Sequence, residues 1–187
     1  MKLKQVNLFL KLALSGFAAG MILLFVMDSL TFPKIWSYIA TLVITWIPDG
    51  LRKLKMPVPM WLETAYLGFL VLAMAAGIDF ELYRYWDGFD KAMHFLSGVL
   101  AAAVGWEIVK NCCVKKVERV DRRFLWLFLV SFVALSAVAW ECFEFFYDLI
   151  FDGDMQELIR EGLDDTMWDM VAGMAGGILA ASWLQKK

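Results

Sequence analysis

Asp90 and the chain's single histidine, His94, stand four residues apart at the start of a long apolar stretch. That spacing puts both on one helix face. A carboxylate beside an imidazole can hold the ring for acid–base work, or share a cation with it. Two later apolar stretches carry acids in the same manner: Glu141, Glu144 and Asp148 at steps of three and four, and Asp165 and Asp169 at a step of four. Ionisable groups in a bilayer are costly, usually face the bundle interior, and point to function. Several carboxylates held together keep some protons or bind a cation. Carboxylates with one imidazole suit Zn, Mn or Fe, and carboxylates alone suit Mg or Ca. The expectation is therefore an acid–base pair of His94 and Asp90, with His94, Glu141, Glu144 and Asp169 as ligands of a divalent metal ion. Asp148 and Asp165 rank behind them, because acids at helix ends are often simply solvated. Lys91 is turned about 100° from the Asp90–His94 face, which reads as a side chain snorkelling to headgroups. Asp90 and His94 alone also fit an interhelical polar contact, but three such columns at one depth favour a site.

The elements that must position these groups are membrane helices. The 187 residues are 61% hydrophobic with a mean hydropathy of +0.62, above the apolar share of soluble domains. Six apolar segments read as spans, at 8–27, 33–47, 60–78, 91–109, 124–146 and 166–184, the second being the shortest. The first resembles a leader but runs on past Ala18-Ala19-Gly20, which reads as a retained span. The fold class is an all-α, polytopic, six-helix bundle forming one integral membrane domain. Residues 1–78 are its scaffold helices and 79–187 carry the polar site.

Charge sets the orientation. Lys2, Lys4, Arg52, Lys53, Lys55, Lys110, Lys115, Lys116, Arg119, Arg122, Arg123, Lys186 and Lys187 are 13 of the 18 basic residues. All fall on one side if six helices alternate, which makes that side and both termini cytoplasmic. The opposite loops hold Asp79, Glu81, Asp87 and Asp90, then Asp148, Asp152, Asp154, Glu157, Glu161, Asp164 and Asp165. The basic loops suit anionic lipid headgroups. They are too short for nucleic-acid binding, and the overall charge is −2. Cys112, Cys113 and Cys142 form neither a disulfide framework nor a zinc spacing.

In this topology His94 and Asp169 lie one turn below the outer ends of the fourth and sixth helices, and Glu141 one turn below the outer end of the fifth. His94 shares its face with Gly98, Ala101 and Gly105, Glu141 with Ala134 and Ala137, and Asp169 with Gly173, Gly176 and Ala180. Small residues mark close helix packing in membranes, so the three columns should converge. Glu107 lies about 20 Å deeper than His94 and reads as structural, near Lys110. Trp86, Trp140 and Trp168 read as belt anchors. Between 147 and 165, Met155, Leu158 and Ile159 could line a short interfacial helix or a plain connector.

Three strings resemble known families. Tyr85-Trp86-Asp87-Gly88-Phe89-Asp90-Lys91-Ala92-Met93-His94-Phe95 resembles the Asp-Lys-x-x-His helix of the VanZ-like membrane proteins. Trp140-Glu141-Cys142-Phe143-Glu144-Phe145-Phe146 and Asp165-Thr166-Met167-Trp168-Asp169-Met170 resemble the YjdF-type bacterial inner-membrane proteins. The VanZ-like pattern places Gln after its Glu and Asn on its last helix, where Asp148 and Asp169 stand here. The resemblance implies a bacterial inner-membrane, cell-envelope setting, and the VanZ-like function it touches is associated with glycopeptide resistance. The sequence thus leads to an outward-facing Asp/Glu/His site that binds a divalent cation or proton. Such a site would act on or bind an envelope lipid or lipid-linked intermediate. A small proton- or cation-coupled transporter and a non-catalytic scaffold or binding protein are the alternatives.

Overall fold

The computed structural model describes residues 2–27, 32–86, 88–113, 120–151, 153–156 and 162–186, and every regular element among them is a helix. These are α1 (Lys2–Val26), α2 (Phe32–Thr45), α3 (Ile47–Lys53), α4 (Met60–Val71), α5 (Leu82–Tyr85), α6 (Phe89–Ile108), α7 (Arg122–Phe151) and α8 (Leu163–Leu184). α4 and α6 continue as wider π-helical turns over Leu72–Asp79 and Val109–Cys113. Lys115, Lys116, Arg119, Asp87, Asp152, Glu157 and Glu161 lie outside the described residues, as do Leu158 and Ile159 of the expected interfacial helix.

Five of these helices are long and apolar enough to cross a membrane: α1, α4 with its extension, α6 with its extension, α7 and α8. The segment expected at 33–47 is α2, whose 14 residues rise about 21 Å, less than a hydrocarbon core of about 30 Å. Pro48 explains its early end. Proline has no N–H to give to the carbonyl four residues back, and the Tyr66 hydroxyl donates to that Ile44 carbonyl instead, at 2.8 Å. The chain turns at Trp46 and restarts as α3 with proline in its first turn.

The chain packs as two units, Met1–Leu82 and Tyr83–Lys187. In the first, α1 packs on α2 and α4 around Leu14, Leu67 and Leu70. Lys11, near the inner end of the first apolar segment where a lysine can snorkel, is instead 5% exposed and pairs with Asp49 and Glu63. Glu63, 1% exposed, also receives Arg52 at 2.6 Å and the Asn7 amide at 2.9 Å. Two cations and two carboxylates balance there, the arrangement a buried ion cluster needs. Outside the spanning helices, the Glu63 contact holds the Arg52 guanidinium above its ordinary pKa.

In the second unit α6 and α8 run parallel, with α7 antiparallel to both. A side chain on Gly98 would strike the Gly173 carbonyl, and one on Gly176 would strike the Phe95 carbonyl, so backbone lies on backbone between α6 and α8. α7 presents Leu125, Leu129 and Val133 to that pair, with Val133 against Gly177 and Ala137 near Gly173. These residues, with Ala102, Trp106 and Ala181, make the apolar core below the polar columns.

Candidate functional site

The site follows from the glycine seam. Gly98 and Gly173 meet one turn below His94 and Asp169, and a parallel helix pair in contact at one turn is in contact at the next. His94 Nε2 accordingly lies 3.9 Å from Asp169 Oδ2 and 3.7 Å from Asp90 Oδ1. Its Nδ1 lies 3.8 Å from Glu141 Oε1 on α7. The imidazole thus stands between two acidic lobes. Asp90 and Asp169 face one ring nitrogen, and Glu141 with Glu144 faces the other. In each lobe, one atom from each carboxylate and one from the imidazole all fall within 4.8 Å of one another.

That spacing suits a cation. Two ligands on opposite sides of a metal are about 4.2 Å apart at 2.1 Å bond lengths, and about 4.8 Å apart for calcium. His94, Glu141, Glu144 and Asp169 are all buried, Asp169 to 1% exposure. Glu141 Oε1 is buried with no hydrogen-bond partner. Glu144 takes the indole N–H of Trp140 at 2.7 Å.

Lys91 belongs to the cluster, contrary to the snorkelling expectation. Its ammonium hydrogen-bonds Asp165 and lies 2.9 Å from Asp169 Oδ1 and 3.4 Å from Asp90 Oδ2. Its Cα direction does point aside, but a four-carbon stem with free rotation reaches back across to α8. Asp165 is likewise no solvated loop-end acid, being 3% exposed against Lys91. Asp148 stands apart from the cluster. Its carboxylate accepts the backbone N–H groups of Met155 and Gln156 at 2.6 and 2.9 Å, so it orders the turn after α7. α7 runs to Phe151, and Asp148 is therefore in its last turn rather than beyond it.

The remaining residues separate cleanly. Glu107 accepts from the Asn111 amide at 2.7 Å and lies 3.6 Å from Lys110, a structural contact. Trp86 and Trp168 are exposed, and Cys142 is a free, exposed thiol. Tyr83 on α5, not singled out by sequence, packs edge-on against Phe89 at 5.0 Å. Burial first, then the charges of Asp90 and Glu144, push its phenol well above the ordinary tyrosine pKa, so it stays a neutral donor beside the acids. It lies between Glu81 and Asp87 of the acidic loop, a place that offered no sequence signal.

Residues 9–186 match DUF2238, described as a predicted membrane protein. The chain belongs to the DUF2238 family. YjdF-type is a name of that same family, which accounts for the resemblance at 140–146 and 165–170. No curated protein and no solved structure matches the chain. The DUF2238 match together with five spanning-length helices makes this a multi-pass membrane protein.

Proposed function

We propose that this DUF2238 protein holds one divalent cation between His94, Glu141 and Glu144 and uses it on the headgroup of an envelope lipid or lipid-linked intermediate. Charge carries the reading. Among the described residues, Asp90, Glu141, Glu144, Asp165 and Asp169 are five carboxylates around one ammonium, Lys91, whereas the cluster around Lys11 and Glu63 balances itself. A surplus of buried carboxylate needs a cation or protons. A bound divalent cation would polarise a phosphate oxygen or activate water. Asp90 and Asp169, at the far ring nitrogen, would orient His94 and take up a proton from it.

The setting belongs to the same proposal. The chain crosses a bacterial inner membrane six times, the short α2 being matched by local thinning of the bilayer, with both termini cytoplasmic and the cluster near the outer face. The one-sided distribution of 13 basic residues supports it. Kinship with the VanZ-like proteins is proposed on the Asp90-Lys91-x-x-His94 string alone.

Metal analysis of detergent-purified protein tests the function. Wild type should carry about one equivalent of Zn, Mn or Fe, the ions that a mixed imidazole–carboxylate set favours. Loss of that metal in His94→Ala and Glu141→Gln is expected. A metal-free wild type, with variants that differ from it in thermal stability alone, would leave the scaffold reading in its place.

A further inference from the structure

The two lobes around His94 have the same kind of ligand atoms but different neighbours. Both Asp90–His94–Asp169 and His94–Glu141–Glu144 have the spacing of a cation site. In the first, an ammonium is already present: Lys91 lies 2.9 Å from Asp169 and 3.4 Å from Asp90, and it hydrogen-bonds Asp165. The 2.9 Å contact is an ion pair, although Asp169 Oδ1 has no hydrogen-bond donor. In the second lobe Glu144 meets a neutral indole N–H, and no Lys or Arg among the described residues pairs with Glu141 or Glu144. Among the described residues, one lobe has a cationic side chain paired into it and the other does not.

We infer that Lys91 is a tethered counter-ion that fills the Asp90–Asp165–Asp169 lobe and restricts this protein to one divalent cation, held in the glutamate lobe. The inference rests on the proposed metal-binding function. An ammonium in contact with three carboxylates consumes their attraction for a second cation and repels one that approaches. Lys91 can be exchanged for a neutral residue without emptying a core position, since its side chain is 27% exposed. Its removal leaves three carboxylates facing one space, a ligand set that binds divalent ions. Lysine at position 91 therefore decides metal number. The glutamates decide metal presence.

Manganese(II) titration of purified protein, followed by electron paramagnetic resonance of the free ion, reads both. Wild type should bind one equivalent, Lys91→Met two, and Lys91→Arg one. A single equivalent in Lys91→Met would overturn the counter-ion role and leave the proposed function intact. No binding in wild type with one equivalent in Lys91→Met would support the counter-ion role and overturn the proposed function. Two equivalents in wild type, or none in either protein, would overturn the inference. Should Lys91→Met not fold, Asp165→Asn gives a second reading. It should keep its one equivalent, because Asp165 holds the lysine and not the metal, and loss of that equivalent would overturn the assignment.

Discussion

His94 is held by distance rather than by hydrogen bonds. Its three carboxylate neighbours lie at 3.7, 3.8 and 3.9 Å, beyond direct bonding and within reach of a shared ion or water. Truncation should then cost little folding energy. We expect His94→Ala to lose metal while its stability falls by only about 1 kcal/mol below that of metal-free wild type, near the typical membrane polar contact. Binding assays and thermal melts on the same preparation check both halves. Glu141→Gln should also lose metal, yet melt no lower than metal-free wild type, because it removes a buried carboxylate that no described Lys or Arg neutralises and whose Oε1 has no donor. A melt well below the metal-free protein would show that Glu141 holds helices and not a cation. For wild type, chelator should lower the melting temperature and added cation restore it, since a ligand bound to the folded state alone stabilises it.

At the scale of the helix, glycines set the site more than the ligands do. Gly98 and Gly176 each face a backbone carbonyl of the opposite helix, so neither can accept a methyl group unless α6 and α8 part. Overpacking of this kind costs about 1–3 kcal/mol. Gly98→Ala should destabilise the protein by that amount and weaken metal binding at least about tenfold, because His94 and Asp169 sit one turn above the displaced contact. Gly20→Ala on α1, with nothing within 4 Å of its added methyl, is the matched control and should change neither quantity. Equal effects of the two substitutions would mean that the seam does not position the site. Pro48 works at the same scale by ending α2 and leaving the Ile44 carbonyl to Tyr66.

For the whole molecule the open question is orientation, and charge asymmetry predicts it. With Asp154→Cys and Val117→Cys introduced singly into a cysteine-free chain, an impermeant thiol reagent added to intact cells should label position 154 and spare position 117. The reverse pattern would invert the topology and put the cluster near the cytoplasmic face. The two units also differ in a way that bears on function. The first sets Lys11 and Arg52 against Asp49 and Glu63, and among the described residues the second sets Lys91 alone amid five carboxylates. That contrast makes the second the unit expected to need a cation.

The all-helical character, the membrane setting and the meeting of His94, Glu141 and Asp169 were legible in the sequence. Each rests on periodicity, which a string of residues displays: apolar runs of spanning length, polar groups at i and i+4, and small residues below them on the same faces. The length of α2 was not legible, since an apolar run does not show where proline ends the helix. Nor was the role of Lys91, Asp165 or Lys11. Helical position tells where a stem leaves the backbone, but a long charged side chain ends wherever its partners are, and those partners lie on another helix. Asp148 and Asp165 looked alike as helix-end acids. Tertiary structure separated them, giving one the backbone N–H groups of a turn and the other the Lys91 ammonium. Sequence decided which groups were available. Packing decided which of them face one another, and hence where charge remains unbalanced.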